Sequence, residues 1–410
     1  MQTAISRDFL KTRDGMVAEE ILRNCVHCGF CNATCPTYQL TGDELDGPRG
    51  RIYLVKQMLE GRNTAAATQQ HLDRCLTCRA CETTCPSGVE YHSLLDIGRE
   101  LIEQRVPRPA TERLQRWLLR KGLTRRLLFT PSLRLGQALR PLLPASIRRH
   151  VPEQRKRLPQ ARLKAHARRM LLLDGCVQPA LAPTINDATR LVLDALGIST
   201  VIAGNAGCCG AVSFHLGATG EARNFMRRNI DAWWPAVEAG AEAIAVTASG
   251  CAPMVKDYGK ALADDPDYAD RAARISELAR DISEIIADES LENALARTAD
   301  DQIIAFHSPC TLQHGQRITG IVERLLQQAG YRLQPVADSH LCCGSAGTYS
   351  ILQPELSTRL RDNKLAALQA GEPSLIATAN IGCLMHMGGH ARVPVRHWIE
   401  LLEPLLTEAS

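Results

Sequence analysis

The tightest constraint on this chain is a cysteine pattern that occurs twice. Cys25, Cys28, Cys31 and Cys35 precede Pro36, and Cys75, Cys78, Cys81 and Cys85 precede Pro86, both in the spacing C-x-x-C-x-x-C-x-x-x-C-P. Three thiolates two residues apart let one loop wrap a face of a cubane. The fourth lies on the next turn and reaches a neighbouring cubane, and proline redirects the chain. The pattern predicts two [4Fe-4S] clusters with crossed ligands: Cys25, Cys28, Cys31 and Cys85 on one, Cys75, Cys78, Cys81 and Cys35 on the other. Zinc sites use separated cysteine pairs and need neither the third cysteine nor the proline. A disulfide framework fits less well still. A chain of 410 residues buries a core without staples. Its first residues, MQTAISRDFLKTRDG, lack the apolar stretch of a signal peptide. No apolar run reaches the roughly 18 residues of a membrane span. The 16 cysteines therefore read as intracellular ligands or redox groups.

Between the two motifs lie RIYLVKQMLEG (51–61) and TAAATQQHLDRCL (64–76). The first places Ile52, Val55, Met58 and Leu59 on one helical face. Two helices in the insert argue against a compact β-hairpin ferredoxin. The region 11–105 resembles instead the all-helical, two-cluster ferredoxin domains of iron–sulfur subunits in respiratory dehydrogenases. Arg49, Arg51 and Arg79 sit close in sequence to the motifs and either raise cluster potentials or are simply solvated.

The other eight cysteines form an internal repeat. Cys176, Cys208-Cys209-Gly210 and Cys251 recur as Cys310, Cys342-Cys343-Gly344 and Cys383. MLLLDGC (170–176) matches IIAFHSPC (303–310), and AIAVTASGC (243–251) matches LIATANIGC (375–383), as apolar strands ending in cysteine. ATRLVLDALG (188–197) matches GIVERLLQQAG (320–330) as an amphipathic helix closed by glycine. Strand, helix and strand with apolar strands imply parallel α/β packing. The expected fold class is thus α/β: an all-helical two-cluster domain, then two pseudo-symmetric α/β units, 170–300 and 301–410, with 261–301 as an acidic helical spacer. Cys176, Cys251, Cys310 and Cys383 end parallel strands, where open sheets place ligands.

The spacing of cysteine, CCG and cysteine is similar to the cysteine-rich domain named for its CCG motif, found in heterodisulfide reductases and in iron–sulfur subunits of flavin-linked dehydrogenases. With DGPRGRI (46–52) and GCVQP (175–179), the whole chain resembles the iron–sulfur subunits of glycolate oxidase. That resemblance implies an electron-carrying subunit of an oxidoreductase with no flavin of its own. It implies FAD-binding partner subunits that oxidise glycolate, and electron exit to quinone. It places the chain in the cytoplasm, peripheral at the inner face of the cell membrane. Relatives of this kind also imply D-lactate or glycerol 3-phosphate as substrates, or a thiol–disulfide reductase like the heterodisulfide enzymes. The fuller CCG pattern ends in C-x-x-C, whereas here Met254 and His386 stand at the last position. Four thiols per unit suffice for one further iron–sulfur cluster, or act as buried or redox-active thiols. His386 is a candidate nitrogen ligand or an ordinary hydrogen-bonded histidine, and Met254 a ligand or a core filler. His307, His314 and His340, the last beside Asp338, are candidate proton acceptors near a terminal electron carrier, or surface and capping residues.

No dinucleotide fingerprint or P-loop is present, and the cysteines of GNAGCCG (204–210) exclude a phosphate-binding reading. Flavin chemistry therefore falls to a partner. Residues 111–170 hold 17 Lys or Arg against 2 Glu, a net of +15 in a chain of +4. With Pro131, Pro141, Pro144, Pro152 and Pro159, the stretch 106–169 reads as a linker of broken helices. Leu114, Trp117, Leu118, Leu119, Leu123, Leu127, Leu128 and Phe129, interleaved with Arg116, Arg120, Lys121, Arg125 and Arg126, suit a lipid surface or an acidic partner. No recognition motif for nucleic acid accompanies them.

Overall fold

A computed structural model describes residues 1–62, 65–144, 148, 151–158 and 163–406. Parts of the expected linker (145–147, 149–150 and 159–162) and of the expected helix from 64 lie outside the described residues.

The first 144 residues contain helices and, among the described residues, no strand. Helix α1 (Arg13–Asn24) starts where Thr12 is extended and its hydroxyl accepts the Gly15 N–H at 3.1 Å. Helix α2 (Pro48–Leu59) opens on a proline, whose missing N–H has no partner to lose in a first turn. Helix α3 (Tyr91–Arg105) packs against both. Their buried faces, including Leu22, Ile52, Val55, Leu94 and Ile102, make one core. Gly98 permits the close approach of α3 to α2, since a Cβ there would lie 2.6 Å from a Val55 methyl. The basic stretch folds as two helices, α4 (Ala110–Thr124) and α5 (Arg126–Leu139).

The rest forms two parallel four-stranded sheets. The first contains β1 (Arg168–Leu172), β2 (Ile198–Val201), β3 (Ile244–Val246) and β4 (Ala279–Asp281), in the order β2-β1-β3-β4. The second contains β5 (Ile303–His307), β6 (Arg332–Leu333), β7 (Leu375–Thr378) and β8 (Val395–His397), in the order β6-β5-β7-β8. Helices α6 (Pro183–Ala195) and α7 (Thr219–Glu238) flank the first sheet. Helices α8 (Ile321–Gln328), α9 (Pro354–Gln369) and α10 (Ile381–Gly388) flank the second.

The acidic stretch 261–301 is not a mere spacer. It supplies strand β4, and Ile282, Ile285 and Ile286 enter the core. Three apolar residues at helical spacing outweigh the surrounding charge there. The sheets share one continuous core that runs from Met170 and Ala245 to Ile304, Ile376 and Trp398. Their strand ends meet: Ser249 N–H donates to Ala379 O at 3.1 Å, and His397 Nε2 lies 3.0 Å from Thr247 O. Among the described residues no helix is long and apolar enough to cross a membrane.

Candidate metal centres

The two N-terminal motifs fold as one loop made twice. His27 and Gly29 flank Cys28 with φ of 59° and 89°, and Thr77 and Arg79 flank Cys78 with φ of 53° and 62°. Left-handed residues on both sides of the middle cysteine curl the backbone around a centre. Three of the four are not glycine, a conformation costing about 1–2 kcal/mol each. Such strain collects at functional sites that over-determine it.

Cys25, Cys28, Cys31 and Cys85 line one cavity of about 440 Å³, with Arg49 and Tyr91 in its wall. Cys35, Cys75, Cys78 and Cys81 line a second of about 300 Å³, with Arg51 and Arg79. Cys81 borders both. Thiols gathered around one open hollow, Cys25, Cys28, Cys31, Cys81 and Cys85 on the first and Cys35, Cys75, Cys78 and Cys81 on the second, are the donors a bulky inorganic group takes. Burial pushes the Cys31 thiol up to about 11, with the neighbouring Cys25 adding to it, and pushes Cys78 and Cys81 well up. A coordinated cation reverses that preference, because thiols on a metal are deprotonated.

The three arginines differ. Arg49 pairs with Glu44 at 2.8 Å and is partly exposed. Arg79 pairs with Glu82 at 2.9 Å. Arg51 is fully buried: its Nε donates to His71 O at 2.7 Å and both terminal nitrogens reach Thr37 Oγ1 at 3.2 Å. Beside it lies a residue the sequence did not single out. Asp46, fully buried, binds His71 Nδ1 at 2.8 Å and Arg74 at 2.7 Å, and lies 3.7 Å from Arg51. Thr37 Oγ1 donates to the Asp46 carbonyl at 2.7 Å and sits 3.3 Å from Cys35 Sγ. This buried polar web fixes the wall of the second cavity. Tyr91 adds a hydroxyl 3.7 Å from Cys75 Sγ.

Each α/β unit also gathers its four cysteines. In the first, Cys176, Cys208, Cys209 and Cys251 form a chain of neighbouring free thiols. In the second, Cys310 Sγ lies 3.7 Å from Cys342 Sγ, and Cys342, Cys343 and Cys383 continue the chain. A hydrogen bond to the next thiol, burial and mutual repulsion push the Cys176 and Cys310 thiols well up. The CCG turn is the same in both: Gly210 and Gly344 have φ of 95° and 86°, and their N–H groups point at Cys208 and Cys342 Sγ, each at 3.4 Å.

The histidines are placed differently from expectation. His386 Nε2 lies 3.2 Å from Ser357 Oγ, outside the thiol group. The histidine beside Cys343 and Cys383 is His307, with the three ligand atoms within 4.8 Å of one another. α10 turns His386 toward α9, whereas β5 ends with His307 buried next to the thiols. His314 stitches the helical region to the second unit, with Nδ1 2.9 Å from Thr83 Oγ1 and Nε2 2.9 Å from the His340 carbonyl. His340 is half-buried and Asp338 exposed. Met254 is buried in the apolar core of the first unit.

Of the basic residues in α4, Arg116 is buried against Asp73 and Glu112, and Arg120 and Lys121 pair with Glu221. Leu114, Trp117, Leu118, Leu127, Leu128 and Leu135 remain exposed.

These features define an iron–sulfur protein. Residues 21–89 match the 4Fe-4S dicluster domain family, and residues 170–256 and 304–388 each match the cysteine-rich domain family. The chain is 55% identical over 99% of both lengths to the glycolate oxidase iron-sulfur subunit of Escherichia coli K12. It is 32% identical to the probable glycolate oxidase iron-sulfur subunit of Bacillus subtilis, over 93% of this chain and 91% of that one. It belongs to the family of glycolate oxidase iron–sulfur subunits. Lactate utilization protein A of Shouchella clausii is 26% identical over 55% of this chain and 95% of its own. A solved hypothetical protein from Helicobacter pylori shares the fold, with a TM-score of 0.54 and 11% identity over 98% of this chain and 76% of that chain.

Proposed function

We propose that this chain is the iron–sulfur electron-transfer subunit of a glycolate oxidase, taking electrons from FAD-bearing partner subunits and delivering them to quinone. Bound clusters supply one-electron transfer, which a flavin can feed from a two-electron substrate. Cys25, Cys28, Cys31 and Cys85 hold one [4Fe-4S] cluster, and Cys35, Cys75, Cys78 and Cys81 the other. Each CCG unit, 170–300 and 301–410, holds a further iron–sulfur centre on its four cysteines, and the two units are related by an internal pseudo-symmetry.

One observation carries the relay. Cys78 of the second cavity, and Cys310 and Cys342 of the second CCG unit, lie in a single apolar cluster with Leu76, Tyr349 and Leu360. Those side chains exclude water between the two thiol sets. The exposed apolar face of α4 and α5, with Arg113, Arg125 and Arg134 exposed beside it, supports a peripheral seat on the inner face of the cell membrane.

Anaerobic purification of the complex, with dye reduction assayed on glycolate, D-lactate and glycerol 3-phosphate and EPR recorded before and after substrate, tests the reading. Reduction by glycolate, with flavoprotein co-eluting and cluster signals appearing, is expected. A chain that elutes alone and responds to none of the three overturns it, and a thiol–disulfide reductase becomes the reading to test.

A further inference from the structure

We propose that His307 supplies a nitrogen ligand to the iron–sulfur centre of the second CCG unit, a ligand that the first unit lacks; the inference rests on that unit holding a centre.

His307 ends strand β5, three residues before Cys310. It is 2% exposed, and neither ring nitrogen has a hydrogen-bond partner among the described residues. A buried polar atom left without a partner is destabilising, so two on one ring require an explanation. A ring nitrogen lies within 4.8 Å of Cys343 and Cys383 Sγ, which also lie within that distance of each other. A neutral imidazole offers a lone pair on one nitrogen and an N–H on the other, and metal-bound histidines give the second nitrogen to a nearby acceptor that fixes the ring. A candidate acceptor stands in the adjacent strand. Thr378 pairs with His307 in the parallel register, is fully buried, and its hydroxyl is likewise unbonded.

The repeat supplies the control. With Cys310 aligned to Cys176, His307 aligns to Leu173, and with Cys383 aligned to Cys251, Thr378 aligns to Val246. Both are buried. One unit thus has an apolar pair where the other has a polar pair beside its thiols. A packing role alone explains the leucine and valine but not the histidine and threonine, which carry three unbonded polar atoms into the same place. His307 adds a fifth donor beside the four thiols, the number that the fuller CCG pattern supplies with its C-x-x-C.

Histidine-specific 15N labelling of the wild-type chain in its complex, read by pulsed EPR on the reduced protein, tests the assignment without a substitution. The expected result is a strong nitrogen coupling that changes with the label, disappears in His307→Leu and weakens or shifts in Thr378→Val. No label-sensitive coupling, or one that survives in His307→Leu, overturns it. Iron content of the Cys343→Ser, Cys383→Ser double variant separates the two levels. If that variant loses iron while the histidine coupling is absent, the ligand assignment alone fails. If it loses none, the unit holds no centre, and the fuller relay fails together with the ligand.

Discussion

The two CCG units share a strand order, a thiol quartet and a left-handed glycine turn, yet they meet the rest of the molecule differently. The second adds to its polar contacts, Thr83 to His314 at 2.9 Å and Arg359 to Leu40 O at 3.1 Å, an apolar and cysteine one: Leu76, Cys78 and Ala80 pack with Cys310, Cys342 and Tyr349. The first touches it through polar groups, His215 to Asp96 at 3.5 Å, Thr219 to Glu100 at 3.3 Å and Arg13 to Lys260 O at 3.1 Å. It also carries the basic hairpin, through Glu221 with Arg120 and Lys121, and Asp174 with Arg126. Electron transfer between buried centres favours a dry, short contact, and a polar contact suits positioning. A duplicated fold can in this way divide one task, with the second copy set next to the clusters and the first fastened to the surface helices.

Removing a thiol from each unit is the sharpest way to break that division. Cys342→Ser should lower glycolate-driven quinone reduction by roughly 1,000-fold, about 4 kcal/mol. Cys208→Ser should lower it by less than about tenfold, about 1.4 kcal/mol. Turnover of the purified complex with a soluble quinone measures both. Equal losses would show that both units lie in series and would end the distinction drawn from the contacts.

The turn glycines give the next largest effect. At Gly344 a Cβ would stand 2.6 Å from Ser357 O and 2.9 Å from Leu360 Cβ, at a φ of 86°. At Gly210 the nearest atom, Ala222 O, is 3.1 Å away, at a φ of 95°. Both alanine variants carry left-handed strain of about 1–2 kcal/mol, and Gly344→Ala adds an overpacking cost of about 1–3 kcal/mol. The Gly344→Ala complex should therefore lose its clusters at the lower temperature, followed by visible absorbance on heating. The reverse order would mean that α9 yields more easily than α7.

The cysteines of this chain were legible because ligand spacing is a local constraint: the loop that wraps a cubane is written in a dozen consecutive residues. Cys85 lines the hollow of Cys25, Cys28 and Cys31, Cys35 that of Cys75 and Cys78, and Cys81 borders both. The parallel sheets were legible too, since apolar runs ending in cysteine repeat along the chain. What escaped depends on distant partners. Asp46 looked like one more loop acid until His71 and Arg74, folded in from the next helix, surrounded it. His386 was suggested by its place in a C-x-x-C pattern, but helix α10 carries that position away from the thiols, and His307 was one of several histidines until β5 set its depth. Strand β4 hid in a stretch whose charge is mostly exposed, with Asp281 of the strand itself buried. Arg116, Arg120 and Lys121 read as surface cations, and the acids Asp73 and Glu221 that engage them come from elsewhere in the chain.

A third contrast lies in acid response. His397 and His386 belong to the second unit, and burial lowers both to about 4. His386 aligns with Met254, which does not titrate. A histidine held neutral in the fold protonates more readily once unfolded, so its stabilisation is complete above the free value near 6.5 and is lost as pH falls from there toward about 4. The second unit should loosen first over that interval, at a cost of roughly 1–3 kcal/mol per group. Hydrogen exchange of β7 and β8 against β1 and β3 at pH 7 and pH 5 reads it. His386→Met should reduce the dependence in the second unit, His397 keeping the rest, and leave the first unchanged.

The smallest effect concerns the hairpin on the first unit. Leu127, 90% exposed, and Leu135 project from α5, while Arg126 is engaged with Asp174. The leucines therefore carry the apolar contribution to any lipid contact, and the free cations Arg125 and Arg134 the electrostatic one. Leu127→Glu with Leu135→Glu should weaken co-sedimentation of the complex with anionic vesicles by about tenfold, with glycolate-driven dye reduction unchanged. Raising salt on the unsubstituted complex should weaken binding in part, since screening removes only the arginine contribution. Vesicle binding that survives the double substitution would move the membrane seat off the first unit, leaving the hairpin as a face for the flavoprotein partners. The division of labour between the units would then rest on the apolar cluster around Cys78 and Cys310 alone.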